Sequence, residues 1–433
     1  ALAEAAALAD ELQPTDYLGR RDMRTHPFVT IDGADARDFD DAVCAERSGD
    51  NLRLHVAIAD VAHYVPRGSA LDAEAYNRAT SVYFPNQVIP MLPEKLSNGL
   101  CSLNPQVDRL ALVCTMTINP EGKIIRSAFS RAVIHSHQRF TYEAVEDFLF
   151  NGQPAPALAP AVLKSLETLH EVYTRLLAVR AERGALDFDF PEAQFQYDER
   201  GQIVAIGTKS RLQAHKLIEE CMVAANICSA KYLEKHRLPG LFRVHEPPLP
   251  AQLLALEAIA RMVKVKLEVP LTPKCVARLL AALAPLPDHS AWEYKVLFTM
   301  NQALYGVENR GHFGLALSHY CHFTSPIRRY PDLVVHRALQ AALAGERLVY
   351  GEGELAAIAQ HCSENERRAE EVSREVVKAL KCDYLGASGR ELFPGKISRV
   401  MAFGLFVMLD DLFIDGLVHI RSLPEPFHFD EAK

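Results

Sequence analysis

Asp32, Asp38, Asp40 and Asp41 fall within ten residues, in the run Thr30-Ile31-Asp32-Gly33-Ala34-Asp35-Ala36-Arg37-Asp38-Phe39-Asp40-Asp41, with Asp35 as a fifth, peripheral carboxylate. Carboxylates this dense raise one another's pKa, so they take up protons or recruit cations to stay ionised. Hard oxygen donors with no interleaved Cys or His favour magnesium, or manganese, over zinc. The run is not an EF-hand, because Arg37 and Phe39 break the alternating ligand pattern and no Glu closes it. What remains is a magnesium site with room for a phosphate substrate. A solvated acidic loop is the alternative that the run alone leaves open.

Val29 and Ile31 before the acids and Ala42 and Val43 after them read as strand ends, which puts the carboxylates on a loop beside a packed sheet. A second constellation runs from His319 to Asp332 and contains His322-Phe323-Thr324-Ser325-Pro326-Ile327-Arg328-Arg329-Tyr330-Pro331. Ser325-Pro326 reads as a helix entry, so Arg328 and Arg329 lie where backbone amides also favour an anion. Arginine forks match phosphate oxygens, and pairing with Asp332 is the competing use. Tyr83 and Phe188 could stack on bases, although an aromatic in a strand more often fills a core. His215 and Glu219 share a helix face but lack the second His of a zinc protease. Glu370 sits in a charged helical stretch that reads most simply as solvated.

The rest of the chain must position these groups. Residues 1–22 suggest a lead-in helix with no core of its own, and 28 to about 135 is dominated by strands, with a turn at Asn119-Pro120-Glu121-Gly122. Residues 151–160, with three prolines, read as a surface connection. Apolar spacing then predicts helices over 163–183, 212–236, 252–265, 292–305, 331–343 and 354–385, interrupted by strand-like patches at 186–190, 202–206 and 241–244. After residue 392 three short strands resemble part of a small oligonucleotide-binding barrel. The fold class is therefore α/β, a sheet flanked by helices followed by a partial all-β barrel.

Among 433 residues, 49% are hydrophobic and 24% charged, and no apolar run is long enough to span a bilayer, so no membrane partner is expected. Nine scattered cysteines, none spaced Cys-x-x-Cys, read as reduced and buried, and the expected location is cytoplasmic. A net charge of −8 argues against a general nucleic-acid coat protein but allows a basic channel. The start at Ala1 suggests a fragment.

Together, 30–41, 80–93, 100–109, 215–222, 309–317 and 322–331 resemble motifs of the RNB catalytic domain of the ribonuclease II family, in the same order. The resemblance implies a catalytic domain over 23–390 and an oligonucleotide-binding segment over 391–433. It also implies a processive 3′-to-5′ exoribonuclease that takes the 3′ end of single-stranded RNA and, with Mg2+ or Mn2+, releases nucleoside 5′-monophosphates. By motif, Asp32, Asp38, Asp40 and Asp41 would bind metal and Arg328 would meet the scissile phosphate. Tyr83 and Phe188 would stack on terminal nucleotides, with Arg329 and Glu370 as further RNA contacts. The family's leading cold-shock domains, complete barrel and basic tail are not present in full. Two ions about 4 Å apart suit such an in-line displacement, with no nucleophilic side chain required. A catalytically silent RNA-binding protein and a small-ester phosphohydrolase are the rival readings.

Overall fold

The computed structural model describes all residues except 155, 156, 191, 288, 352, 390, 391, 410, 411, 413, 426–428 and 430–433. A short helix, α1 (Leu2–Ala7), precedes strands β1 (Arg21–Asp22), β2 (Val29–Asp32), β3 (Asp41–Ser48) and β4 (Asn51–Ala59). Helices α2 (Val61–Tyr64) and α3 (Ala70–Arg78) and a hairpin of β5 (Val82–Phe84) and β6 (Gln87–Ile89) follow, then β7 (Asp108–Ile118), β8 (Ile124–His135) and β9 (Gln138–Thr141). Seven of these strands form one sheet in the order β1-β8-β7-β4-β3-β2-β9.

Alternation along the strands gives the sheet two apolar faces. Val43, Leu54, Val56, Ile58 and Leu112 point into one core, while Ala42, Cys44, Ala57, Ala59 and Val113 point into the other. The first core is closed by α5 (Pro160–Arg183) and α6 (Gln213–His236), which follow α4 (Tyr142–Leu149). The second packs α3 and the helical turn Lys95–Leu100. Helix α10 (Tyr330–Leu343) serves both, Val335 and Leu339 entering one core and Leu333 and Val334 the other. A helix buried this completely is located by its packing: truncating Leu333 to Ala costs about 2–5 kcal/mol. Its N-terminus is thereby fixed at the end of the sheet that carries the aspartates.

Between α6 and α10 lie β12 (Phe242–Val244), α7 (Pro250–Met262), α8 (Pro273–Leu283), α9 (His289–Phe298) and β13 (Leu304–Gly306), and α7 to α9 enclose a third small core. The hairpin β10 (Glu192–Tyr197) and β11 (Ile203–Lys209) precedes α6. Helix α11 (Glu354–Ala387) leads to an antiparallel sheet of β14 (Gly395–Met401), β15 (Gly404–Leu409) and β16 (Ile414–His419), the three strands expected there. No helix among the described residues is long and apolar enough to cross a membrane.

The lead-in helix has no core of its own and docks on the second, where Ala5 is buried, Glu4 Oε2 accepts from the Leu71 amide at 2.9 Å, and β1 pairs with β8. Three expectations are corrected. The helix expected over 292–305 stops at Phe298: Thr299 Oγ1 donates to the Val296 carbonyl at 2.6 Å, and Asn301 draws the chain toward Pro247, where β13 pairs with β12. Residues 186–190 form no strand; among the described residues, Gly314 O at 2.8 Å from the Leu186 amide is the one backbone partner their amides find. Ser325-Pro326 heads a turn, and the helix begins at Tyr330 with Pro331 in its first turn. The expected turn at 119–122 is present, with Gly122 at φ +76° and its amide bonded to Asn119 O.

Candidate active site

β2 ends at Asp32 and its antiparallel neighbour β3 begins at Asp41, so the returning loop holds both acids at one end of the sheet. Parallel β9 places Thr141 beside Asp32, and Tyr142 opens α4 there. The turn before α10 closes against this end: Asp40 Oδ1 accepts from the Ile327 amide at 2.8 Å, across 287 positions of sequence. Asp332 Oδ1 fixes that turn by accepting from the Ser325 amide at 2.8 Å, and Ser325 Oγ accepts from Arg328 Nη2 at 2.9 Å.

The result is a cavity of about 240 Å³ lined by Asp32, Asp38, Asp40, Asp41, Arg328 and Arg329, with Tyr142, Glu219, Asn226 and Tyr320 on its walls. Arg328 Nε lies 3.5 Å from Asp40 Oδ2 with its side chain 42% exposed, so much of its charge faces the opening. Tyr83 OH donates to Asp38 Oδ2 at 3.0 Å, which brings the predicted stacking residue to the rim.

At Asp32, Asp40 and Asp41 burial and neighbouring carboxylate charge outweigh the pull of nearby arginine. Burial, reinforced by Asp38, pushes the Asp32 carboxyl up to about 6. Burial and then the charge of Asp32 push Asp41 up to about 8. Asp40 is raised well above the usual range by burial, against the pull of Arg328 and the Ile327 amide. Asp32 Oδ2 and Asp40 Oδ2 are buried without hydrogen-bond partners. Orphaned buried carboxylate oxygens fit a hard divalent cation. Among the described residues no three His, Cys, Asp or Glu side chains are drawn together tightly enough to hold a metal by themselves.

The other predicted residues are distributed around this cavity. Arg329 lines it, but its Nη2 donates to Asp332 Oδ1 at 2.8 Å, the competing use foreseen for it. Phe188 is not on the cavity wall; it packs against the third core and stacks on Phe190, with centroids 5.9 Å apart. Its neighbour Asp187 is tied to the wall nonetheless, accepting from Arg211, which also bonds Glu219. Glu370 lies on α11 in a separate charged groove with Arg367, Arg368 and Arg374. That helix touches the hairpin through Ser373 Oγ, which donates to Tyr83 O at 3.2 Å. His215 stacks on Tyr142 at 3.9 Å, and Glu219, one turn on, faces the cavity. Tyr142, Asn226 and Tyr320 were not singled out from sequence; Tyr142 carried a signal, the N-cap Thr141 before it.

A central sheet with carboxylates at one end, faced by an arginine turn, defines the class. Residues 20–345 match the model of the RNB domain, and the chain belongs to the RNB family. It is 47% identical to Ribonuclease R of Escherichia coli (strain K12) over 446 residues, 99% of this chain and 55% of that protein. The structure of Mycoplasma genitalium RNase R in complex with ribose methylated single-stranded RNA superposes with a TM-score of 0.93 at 31% identity, covering 99% of this chain and 68% of that one. The same enzyme in complex with double-stranded RNA gives 0.90 at 31% identity, covering 96% and 75%. The chain spans about half the length of the curated Escherichia coli relative.

Proposed function

We propose that this chain is the catalytic part of a processive 3′-to-5′ exoribonuclease that hydrolyses single-stranded RNA to nucleoside 5′-monophosphates by a two-metal-ion mechanism with Mg2+, replaceable by Mn2+. The observation that carries the reading is the meeting of Asp32, Asp38, Asp40, Asp41 and Arg328 around one cavity. Its similarity to proteins named Ribonuclease R, one of them solved with single-stranded RNA, supports the substrate class.

Asp32, Asp38, Asp40 and Asp41 would hold the magnesium, and the orphaned oxygens of Asp32 and Asp40 are free to do so. Bound magnesium supplies an activated water and neutralises charge on the phosphate and the leaving oxygen. Arg328 offsets charge developing on the phosphoryl oxygens from a fixed position. Its Nη2 bond to Ser325 and the Asp40–Ile327 bond preset the distance between guanidinium and carboxylates. Tyr83 stacks on a base at the rim, and Phe188, anchored through Asp187, stacks on another. Arg329 shapes the phosphate side of the cavity, and Glu370 with its neighbouring arginines borders the RNA path. Cytoplasmic residence belongs to the same proposal, supported by nine free cysteines, eight of them buried.

The test is incubation with 3′-tailed single-stranded RNA, labelled at its 5′ end, with magnesium or with EDTA. Shortening of the labelled strand from the 3′ end and release of 5′-monophosphates with magnesium alone is expected. RNA bound but left intact would favour the silent RNA-binding reading. Turnover of a small phosphate ester that single-stranded RNA does not inhibit would favour the phosphohydrolase.

A further inference from the structure

The loop that carries Asp38 has little apolar anchorage of its own. Gly33, Ala34 and Asp35 are half-buried or exposed, Ala36 packs against the edge of the second core, and Phe39 is buried in it. Such a segment keeps one shape only if other residues satisfy its backbone.

One side chain does most of this. Arg139 stands on β9, in register with Thr30 of β2. Its Nη2 donates to the carbonyl oxygens of Gly33 at 3.0 Å, Ala34 at 2.6 Å and Ala36 at 3.3 Å. The guanidinium carbon also lies 5.1 Å from the centroid of the Phe39 ring, within cation–π range. A single guanidinium therefore touches Gly33, Ala34, Ala36 and Phe39, all between Asp32 and Asp41. From the opposite side, buried Ser102 accepts from the Phe39 amide at 2.9 Å and donates to Arg37 O at 2.8 Å, and the Leu103 amide donates to Phe39 O at 2.9 Å. Asp38 is thus suspended between residues whose backbones are fixed from both sides.

We propose that Arg139 is a positioning residue: it clasps the loop between Asp32 and Asp41 and so sets the spacing of the four carboxylates in the absence of any bound ion. A purely structural role at the sheet edge predicts only a lower melting temperature. The clasp predicts a local change in the loop and a graded response to the length and donors of the side chain.

The experiment compares the full chain with Arg139→Ala and Arg139→Lys. The first reading is amide hydrogen exchange in EDTA, and the second is Mn2+ affinity by electron paramagnetic resonance, without RNA. Exchange in Arg139→Ala should rise within residues 33–40 while β7 stays at the wild-type level. Mn2+ affinity should fall about 10- to 100-fold, as when groups supporting metal ligands are removed. Arg139→Lys, which keeps a donor and the charge, should fall between the two. Unchanged exchange in 33–40 together with unchanged Mn2+ affinity overturns the proposal, as does exchange that rises equally throughout the sheet. Should Arg139→Ala not fold, Arg139→Gln is judged by the same two readings. The affinity arm rests on the metal reading proposed above and the exchange arm does not. Wild-type chain that binds no Mn2+, with exchange still loosened in the variant, would remove the metal and leave the clasp.

Discussion

Asp60 and Asp72 are buried like Asp40, yet each meets an arginine of its own, whereas Asp40 shares its surroundings with other carboxylates. Asp60 lies 2.6 Å from Arg20 Nη1 with both side chains fully buried. Burial pushes its carboxyl up, and the charge and hydrogen bond of Arg20 outweigh that, leaving it below the usual range. Asp72 Oδ1 accepts from Arg337 Nη2 at 2.7 Å and Tyr330 OH at 2.8 Å, and its Oδ2 accepts from the Gly68 amide at 2.8 Å. In the cavity, Arg328 faces Asp32, Asp40 and Asp41 together and Arg139 adds its charge at Asp32, while Arg329 is committed to Asp332. The same residue type at similar depth thus divides by partner. Aspartates that hold the fold are neutralised from within the chain. Those of the cavity crowd one another instead, and burial with neighbouring carboxylate charge raises Asp32, Asp40 and Asp41.

The largest effect expected from this contrast is on turnover. Asp40→Asn keeps the shape and the acceptor for the Ile327 amide but removes the charge. It should lower the rate of RNA shortening by on the order of 100- to 1000-fold, the scale of losing one preorganised electrostatic group. RNA affinity should change little. A variant that retains wild-type turnover would remove Asp40 from the reaction.

On the paired side the expectation reverses. Arg337→Met leaves Asp72 buried with its strongest partner gone, and breaking a buried pair from one side costs about 3–5 kcal/mol. Denaturant unfolding should show that loss, with turnover per folded molecule unchanged. Equal stability in the variant would mean that Asp72 is satisfied without its arginine.

How far sequence revealed each set follows from contact range. The four cavity aspartates were legible because they sit within ten residues and no structural use absorbs so many adjacent acids. The arginine turn was legible as an anion-binding pattern, although its helix starts later than Ser325 suggested, because Asp332 reaches back to the Ser325 amide. The supports were not legible: Arg139 acts across about a hundred positions and Ser102 across more than sixty, through backbone carbonyls and amides that carry no residue signature. α3 was missed inside a region dominated by strands, although Ser69 accepting from the Asp72 amide is a local cap signal. The helices over 163–183, 212–236 and 331–343 were read from their buried stripes, α4 and α8 were missed, and 292–305 failed where a short strand partner competed with apolar spacing.

The contrast also has a pH signature. Asp32 and Asp41 are raised in the fold, so the folded chain keeps protons that the unfolded chain has already released. Stability therefore falls as pH climbs above the usual carboxylate value, through about 6 for Asp32 and about 8 for Asp41. Magnesium, by replacing those protons, should offset the loss. The melting-temperature difference between magnesium and EDTA should thus be wider at pH 8 than at pH 6. A difference that is equal at both, or narrower at pH 8, would sink the claim that these acids need an outside cation.

The smallest effect concerns Tyr83, which belongs partly to the carboxylates and partly to the rim. Its hydroxyl bonds Asp38 at 3.0 Å, while the residue is 43% exposed and its ring is available to a base. Tyr83→Phe removes only the hydroxyl, and a part-exposed bond to a charged group contributes less than the roughly 1.5–3 kcal/mol of such bonds in general. A few-fold rise in the magnesium concentration needed for half-maximal turnover is expected, with RNA affinity preserved. Tyr83→Ala removes the ring as well, and losing base stacking should weaken RNA binding by about 1–3 kcal/mol. The two variants separate the roles: if Tyr83→Phe alone weakens RNA binding as much as Tyr83→Ala does, the hydroxyl and not the ring meets the RNA, and the rim assignment of Tyr83 fails.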